Sequence, residues 1–249
     1  MRLTSTVPPF HYPEPEQQSV MRLGLQPLDM GHWMHCDSDF AQFLAHKRQV
    51  QQQHPELAFA ALDQSLEAQR EFSTLLKAHL LRDYGQVYSQ IGDALQHGPT
   101  QTHWDCTRLD LVNSQYWVQE DICLLQLEGA HYRLTAASVC SPSNWALEKK
   151  IGRSVDEIHQ PVPGYQASLA ERVNRLLRGL KPNKPMLRFN WSLQHGNELF
   201  LRNDLDPPPG EEKDHWRVER QTLVKLPRTE AIVFGIRIFL HALDALGSG

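Results

Sequence analysis

A single histidine stands in a stretch of the chain that is stiffened by proline. Residues 151–165 read IGRSVDEIHQPVPGY, and His159 is the only histidine between Ser141 and Pro185, an interval without cysteine. Because neutral imidazole is a strong nitrogen donor, a histidine on such a rigid segment is well placed to bind a metal ion or a haem iron. The alternative is a histidine that hydrogen-bonds to the backbone and closes a turn.

Two other clusters have ligand-like spacing but are weaker. His32, His35 and Cys36 lie in the stretch HWMHC, and His103 lies close to Cys106, but neither cluster is accompanied by a second ligand pair. The sequence also lacks the nucleotide-binding, zinc-protease and serine-hydrolase motifs and a four-cysteine iron–sulfur pattern. If the chain performs reductive oxygen chemistry, we therefore expect its electrons to come from another chain.

The composition places the chain among folded globular proteins and excludes several function classes. Of 249 residues, 41% are hydrophobic and 22% charged, and the net charge of −4 lacks the basic excess of a nucleic-acid binder. The longest apolar run has six residues (57–62), whereas a membrane span needs about 20. The first twelve residues do not resemble a secretory signal. Four scattered cysteines favour a reducing compartment, and we predict a cytoplasmic protein.

The N-terminal part of the chain is predicted to be extended and then helical. Residues 1–20 contain four prolines and read as an extended arm. Asp37 and Asp39 can cap a helix whose apolar residues share one face up to Val50, and a second amphipathic helix covers about 63–83. Residues 86–115 carry no clear period. We therefore assign 21–115 to a helical segment that packs on the core.

The remainder, residues 116–249, has the pattern of a sheet interrupted by helices. Strand-like runs at 117–127 and 132–140 predict a hairpin. A helix with a clear apolar stripe follows Ser168. Three further strands are predicted at the C-terminal end, over 186–194, 216–226 and 231–240. The result is an α+β fold, a five-stranded antiparallel sheet with a helical crossover, in the element order of a PAS domain.

Five segments, taken in order, resemble one known family. They are LGLQPLD (23–29), VQEDICLL (118–125), EKKIGRSVDEIHQPVPGY (148–165), RFNW (188–191) and RVERQTLVKLP (217–227). Together they are similar to the α subunit of the haem-dependent oxidative N-demethylases. The resemblance implies a PAS-like fold that binds haem b and oxidises dimethylamine with O2 to methylamine and formaldehyde. It also implies that the electrons come from NADPH through partner subunits that carry flavin and an iron–sulfur cluster.

With the resemblance, His159 becomes the predicted axial ligand, because haem-binding PAS domains take the iron ligand from the crossover. Arg188 and Asn190 share one face of a later strand and are predicted to contact the cofactor. Arg220 is predicted to stabilise negative charge on bound oxygen, and an arginine can also pair with a haem propionate. The alternative for each arginine is an ion pair at the surface or sheet edge.

A protonated amine needs a carboxylate or aromatic faces in its pocket, and Glu219 is the nearest acidic candidate. Adjacent strand residues point to opposite faces, so only one of Glu219 and Arg220 can face the haem from a regular strand. Two other functions stay open, a haem-binding gas or redox sensor and a non-catalytic scaffold with the same fold.

Overall fold

The fold is built on one large antiparallel sheet. The computed structural model describes residues 24–160, 167–207, 210 and 212–246. The predicted arm over 1–20 lies outside these residues, as do the two prolines and the glycine that follow His159. The strands are β1 (Gln26–Pro27), β2 (Phe59–Ala61), β3 (Tyr88–Ile91), β4 (Ala94–His97), β5 (Thr102–Asp105), β6 (Asp121–Glu128), β7 (His131–Ser138), β8 (Met186–Gln194), β9 (His215–Lys225) and β10 (Ile232–Ala242). Seven strands pair in the order β1-β8-β9-β10-β6-β7-β2, and three others form a separate small sheet, β3-β4-β5.

Helices lie before, between and after the long strands of the large sheet. They are α1 (Phe40–Gln53), α2 (Pro55–Ala58), α3 (Leu66–Asp83), α4 (Leu111–Ser114), α5 (Val155–His159), α6 (Ala167–Gly179) and α7 (Leu243–Leu246). The two predicted N-terminal helices correspond to α1 and α3, and the predicted crossover helix is α6. No helix in the described ranges is both long and apolar enough to cross a bilayer.

The α+β class and the five long strands are confirmed, but the strand count is not. The five predicted strands are β6–β10, and they are adjacent in the sheet in the order β7-β6-β10-β9-β8. Two short strands extend the sheet to seven, since β1 pairs with the outer edge of β8 and β2 with that of β7. Strands of two or three residues are too short to show a period of two, so the sequence does not reveal them.

The segment over 21–115 is not helical throughout. After α3 the chain forms the three-stranded sheet, in which β3 and β4 are joined by a tight turn at Gly92 and Asp93. Gly92 has a φ of +57°, which glycine adopts without strain. The Gly-Asp pair between two short runs is the sequence signal for this hairpin.

One face of the large sheet is covered by the N-terminal segment. Ile122, Leu124, Val224 and Val233 on this face form one apolar cluster with Trp33 and with α1 and α3 residues. Burying one such large side chain contributes roughly 1.5–3 kcal/mol. This cluster therefore fixes the N-terminal segment to the sheet.

The opposite face is covered by the crossover. Leu223 and Ile232 on this face pack in a second cluster with Val155 and Ile158 of α5 and Leu177 of α6. Because neighbours along a strand point to opposite faces, Leu223 and Val224 belong to different clusters. The crossover therefore lies over the odd-numbered residues of β9.

Candidate functional site

His159 is the last residue of the short helix α5. Its start is set by a capping box: Ser154 Oγ accepts the amide proton of Glu157 at 3.3 Å, and Glu157 Oε2 accepts that of Ser154 at 2.7 Å. Val155 and Ile158 are buried against the sheet. The capping box therefore fixes the start of this five-residue helix, and the two buried side chains fix its position on the sheet and with it that of His159.

The His159 ring is held by its own helix. Nδ1 lies 2.7 Å from the carbonyl oxygen of Val155. A carbonyl only accepts, so the proton is on Nδ1 and the lone pair is on Nε2. His159 is an exposed residue, yet the protein around its ring desolvates it and lowers its pKa. The hydrogen bond to Val155 raises this pKa, whereas the charges of Lys150 and Arg188 lower it further. The imidazole is therefore neutral at pH 7, as a metal ligand must be.

Four polar side chains of β8 and β9 lie on the sheet face that the crossover covers. Register pairs Arg188 with Gln221 and Asn190 with Glu219. These pairs lie two and four residues along the strands from the pair formed by Met186 and Leu223. Leu223 and Met186 pack against the crossover, so residues an even number of steps away share that face. Arg188 is close enough for its charge to lower the pKa of His159. The structure thus brings His159, Arg188, Asn190 and Glu219 to one side of the sheet.

The carboxylate of Glu219 is held by three donors. Gln221 Nε2 donates to Oε2 at 2.8 Å, and Asn190 Nδ2 lies 3.4 Å from the same oxygen. Arg217 Nε donates to Oε1 at 3.2 Å. Arg217 is fully buried and also donates to the main-chain carbonyl of Ser141. The Glu219 carboxylate is therefore an oriented anion on this face.

Arg188 combines partial burial with an unsatisfied donor. Its Nε is buried and has no hydrogen-bond partner among the described residues. Desolvation lowers the pKa of its guanidinium, while the charge of Glu219 raises it. A buried N–H without an acceptor is costly, so this group suits an anionic ligand that would accept from it.

Arg220 lies on the other face of the sheet. It is 5% exposed, and its guanidinium donates to the main-chain carbonyls of His32 and, at 3.2 Å, Trp33. Both carbonyls belong to the N-terminal segment. The sheet therefore separates Arg220 from His159, and of the two adjacent candidates Glu219 is the one on the histidine side.

The burial of three cationic side chains could not be predicted from the sequence. Lys47 of α1 is fully buried and donates to three main-chain carbonyls around the start of β6. Arg237 is fully buried between the rings of Phe43 and Phe239 and donates to Asp37 Oδ2 at 2.9 Å. Arg217 is the third. Apart from Glu219, which is two residues from Arg217, the hydrogen-bond partners named here are distant in sequence, so spacing along the chain could not have identified these cations.

The weaker histidine clusters are not assembled into metal sites. His35 Nε2 lies 3.2 Å from Asp37 Oδ2, and Cys36 Sγ lies 3.9 Å from the hydroxyl of Tyr88. In the part of the chain that the structure describes, no three His, Cys, Asp or Glu side chains are grouped to hold a metal ion.

A known protein family matches most of the chain. The sequence model of a family described as haem-dependent oxidative N-demethylase, alpha subunit-like, matches residues 24–248. The match includes both faces of the sheet, the crossover and every candidate site residue named above.

Proposed function

The chain belongs to the haem-dependent oxidative N-demethylase alpha subunit-like family, and we propose that it binds haem through His159 and oxidises a small secondary amine. The proposal rests mainly on the neutral His159 imidazole, which lies at the end of the crossover helix and on the side of the sheet that carries Arg188 and Glu219. We propose haem b as the form of the cofactor.

The donor set of this face fits a haem. The porphyrin supplies four nitrogens, so the iron needs one protein ligand, and Nε2 of His159 has the lone pair for it. The Nδ1–H of the same ring donates to the Val155 carbonyl, an arrangement that fixes the tautomer of iron-binding histidines. The unsatisfied Nε of Arg188 suits a propionate carboxylate. Asn190 lies on the same face and is proposed to contact the cofactor.

The arrangement of the strands supports a PAS-like core. The first two long strands form a hairpin, the helical crossover follows, and the last three strands complete the sheet. The hairpin strand β6 lies inside the sheet, next to the last long strand, β10. We propose that the cofactor lies between the crossover and the odd-numbered face of β9.

Bound haem would supply the activation of O2 for oxidation of the N-methyl group. We propose that the carboxylate of Glu219 binds the ammonium form of the amine, because a buried cation needs an anionic partner. Gln221 and Asn190 orient this carboxylate, and Arg217 fixes its second oxygen. Arg220 would support the N-terminal segment from the other face.

The proposed substrate is an amine like dimethylamine. Its oxidation with O2, NADPH and a proton would give methylamine, formaldehyde, water and NADP+. The four electrons that O2 accepts come in equal parts from the amine and from NADPH. The sequence lacks nucleotide-binding and iron–sulfur motifs, so we propose that partner subunits carry the flavin and the cluster. All four cysteines are free thiols, which supports the predicted cytoplasmic location.

Spectroscopy of the full chain tests haem binding. The chain is purified with haem available, and we expect a Soret band at one haem per chain. The His159→Ala variant should lose the band, while His103→Ala, which removes an exposed histidine of the small sheet, should keep it. An unchanged band and stoichiometry in His159→Ala would show that the ligand is elsewhere.

Turnover separates an enzyme from a sensor. With a reductase and NADPH supplied, the holoprotein should release formaldehyde and methylamine from dimethylamine in an O2-dependent reaction. Haem binding without turnover of any small secondary amine would favour the gas or redox sensor. Absence of any pigment would favour the scaffold.

A further inference from the structure

A tight turn in front of α5 holds two cations close together. The amide of Arg153 donates to the carbonyl of Lys150 at 3.0 Å, which closes the turn. Gly152 within it has a φ of +78°, a conformation that side chains rarely adopt. The Gly152 amide donates to the Leu134 carbonyl at 2.7 Å, and the Leu134 amide to the Arg153 carbonyl at 3.0 Å. The turn is therefore fixed to β7, and so is the spacing of Lys150 and Arg153.

This turn borders a surface cavity of about 600 Å³. The cavity is also lined by Ile158 of α5, by Asn144 and by Asn203. Its size falls within the range of small-molecule sites. None of the residues proposed above to bind haem or amine lines this cavity. It is therefore lined by a different set of residues, next to His159 through Ile158.

The carboxylates in the cavity are already engaged. Glu157 accepts from the amide and the hydroxyl of Ser154, both at 2.7 Å. Asp204 accepts from Arg202 at 2.9 Å and forms an ion pair with Lys149 at 3.5 Å. Both carboxylates therefore already have hydrogen-bond or ion-pair partners in the wall of the cavity.

Lys150 and Arg153 lack such a partner. Lys150 Nζ donates to the carbonyl of Ile158 at 3.3 Å and lies 5.3 Å from the ring centre of Trp145. No carboxylate lies within ion-pair distance of Lys150 or Arg153 in the described part of the chain. Glu157 is near enough to Arg153 only for a longer-range electrostatic interaction. Desolvation lowers the pKa of Lys150, and the charge of Arg153 lowers it further. Two like charges in one concave surface attract an anion.

We propose that this cavity binds the anionic group, a phosphate or a carboxylate, of a small molecule between Lys150 and Arg153. The ligand group would accept hydrogen bonds from both side chains and offset their mutual repulsion. The remaining volume would hold the rest of the molecule.

Calorimetric titration of the full chain with pyrophosphate, and separately with succinate, tests the site. We expect binding of at least one of them, and the preferred one identifies the anionic group. Arg153→Gln and Lys150→Gln should each weaken binding about tenfold or more, since each removes a charge-assisted hydrogen bond. The main-chain bonds of Arg153 do not depend on its side chain, so Arg153→Gln should keep the fold even if Lys150→Gln does not.

Arg175→Gln is the matched control. Arg175 is an exposed arginine of α6 that lines a second, smaller cavity and pairs with Glu171 at 3.3 Å. Its replacement should leave the affinity unchanged. Absence of binding by both probes, or an equal loss of affinity in Arg175→Gln and Arg153→Gln, would overturn the proposal.

Discussion

Glu219 and Arg220 are consecutive residues of β9 whose side chains lie on opposite faces of the sheet. Glu219 meets Arg217, Gln221 and Asn190 under the crossover, whereas Arg220 donates to the main-chain carbonyls of the N-terminal segment. The alternation of a regular strand requires this separation. A replacement of Glu219 should therefore change substrate binding, whereas a replacement of Arg220 should change the stability of the fold.

Replacement of Glu219 should weaken binding of the amine substrate. In Glu219→Gln the side chain keeps its shape but cannot neutralise a bound ammonium group, so we expect the KM for dimethylamine to rise about tenfold or more. Steady-state kinetics of the holoprotein measure this, and the Soret band should remain. Glu56→Gln, at an exposed position of α2, is the control and should behave as the wild type. An unchanged KM in Glu219→Gln would place the amine elsewhere.

Replacement of Arg220 should affect stability. Arg220→Met leaves the carbonyls of His32 and Trp33 without their donors and removes a buried charge near Glu120. We expect a loss of about 3 kcal/mol in the free energy of unfolding. Urea denaturation measures the loss, and the folded fraction should keep the wild-type KM. A variant with full stability and a depressed kcat would instead assign Arg220 to catalysis.

Acid should destabilise the protein through its buried histidines. His79 is 1% exposed; its Nδ1 lies 2.7 Å from Asp83 Oδ2, and its Nε2 accepts from the Met34 amide at 3.4 Å. Burial lowers its pKa, against the hydrogen bond to Asp83, which raises it. The unfolded chain therefore takes up the proton first, and stability falls as the pH drops below about 6.5, by up to about 1.4 kcal/mol per pH unit for this group.

The His79→Gln variant tests this contribution. Its free energy of unfolding at pH 7 should be lower than that of the wild type, but it should change less between pH 7 and pH 5. His103→Gln, at an exposed position, should keep the pH dependence of the wild type. If both variants show the wild-type slope, His79 does not carry the effect.

The turn before α5 should require glycine. In Gly152→Ala the backbone must keep a φ of +78°, which costs a side chain about 1–2 kcal/mol. An added Cβ would lie 3.8 Å from Leu62 Cδ1, so the cost comes from the backbone and not from a clash. Urea denaturation measures the loss. Gly179→Ala is the control, because a Cβ at Gly179 meets nothing within 4 Å. Equal stability of the two variants would contradict this account.

The periodic elements could be predicted from the sequence because their signal is local. The alternation in residues 186–194 gives both ends of β8, and the β-branched run at 231–240 lies almost wholly within β10. The first hairpin strand begins later than its apolar run indicates. Residues 115–117 form a 3₁₀ turn, so β6 starts only at Asp121.

The site could be predicted only in part, because its geometry depends on distant partners. Strand parity allows either Glu219 or Arg220 to face the crossover, and only the register and the packing of Leu223 decide between them. Asp37 and Asp39 precede α1 as the sequence indicates, but the side chain of Asp39 makes no cap hydrogen bond. Asp37 instead binds Arg237, 200 residues away in the chain.

The interior position of β9, between two long strands, limits which of its residues can vary among relatives. The strand pairs with β8 on one side and β10 on the other over nearly its full length, so its backbone cannot shift to accommodate a new side chain. Natural variation in ligand preference would then be confined to alternate residues such as 219 and 221, while 220, 222 and 224 stay under selection for folding. An alignment of relatives should show substitution rates along this strand that rise and fall with every second residue.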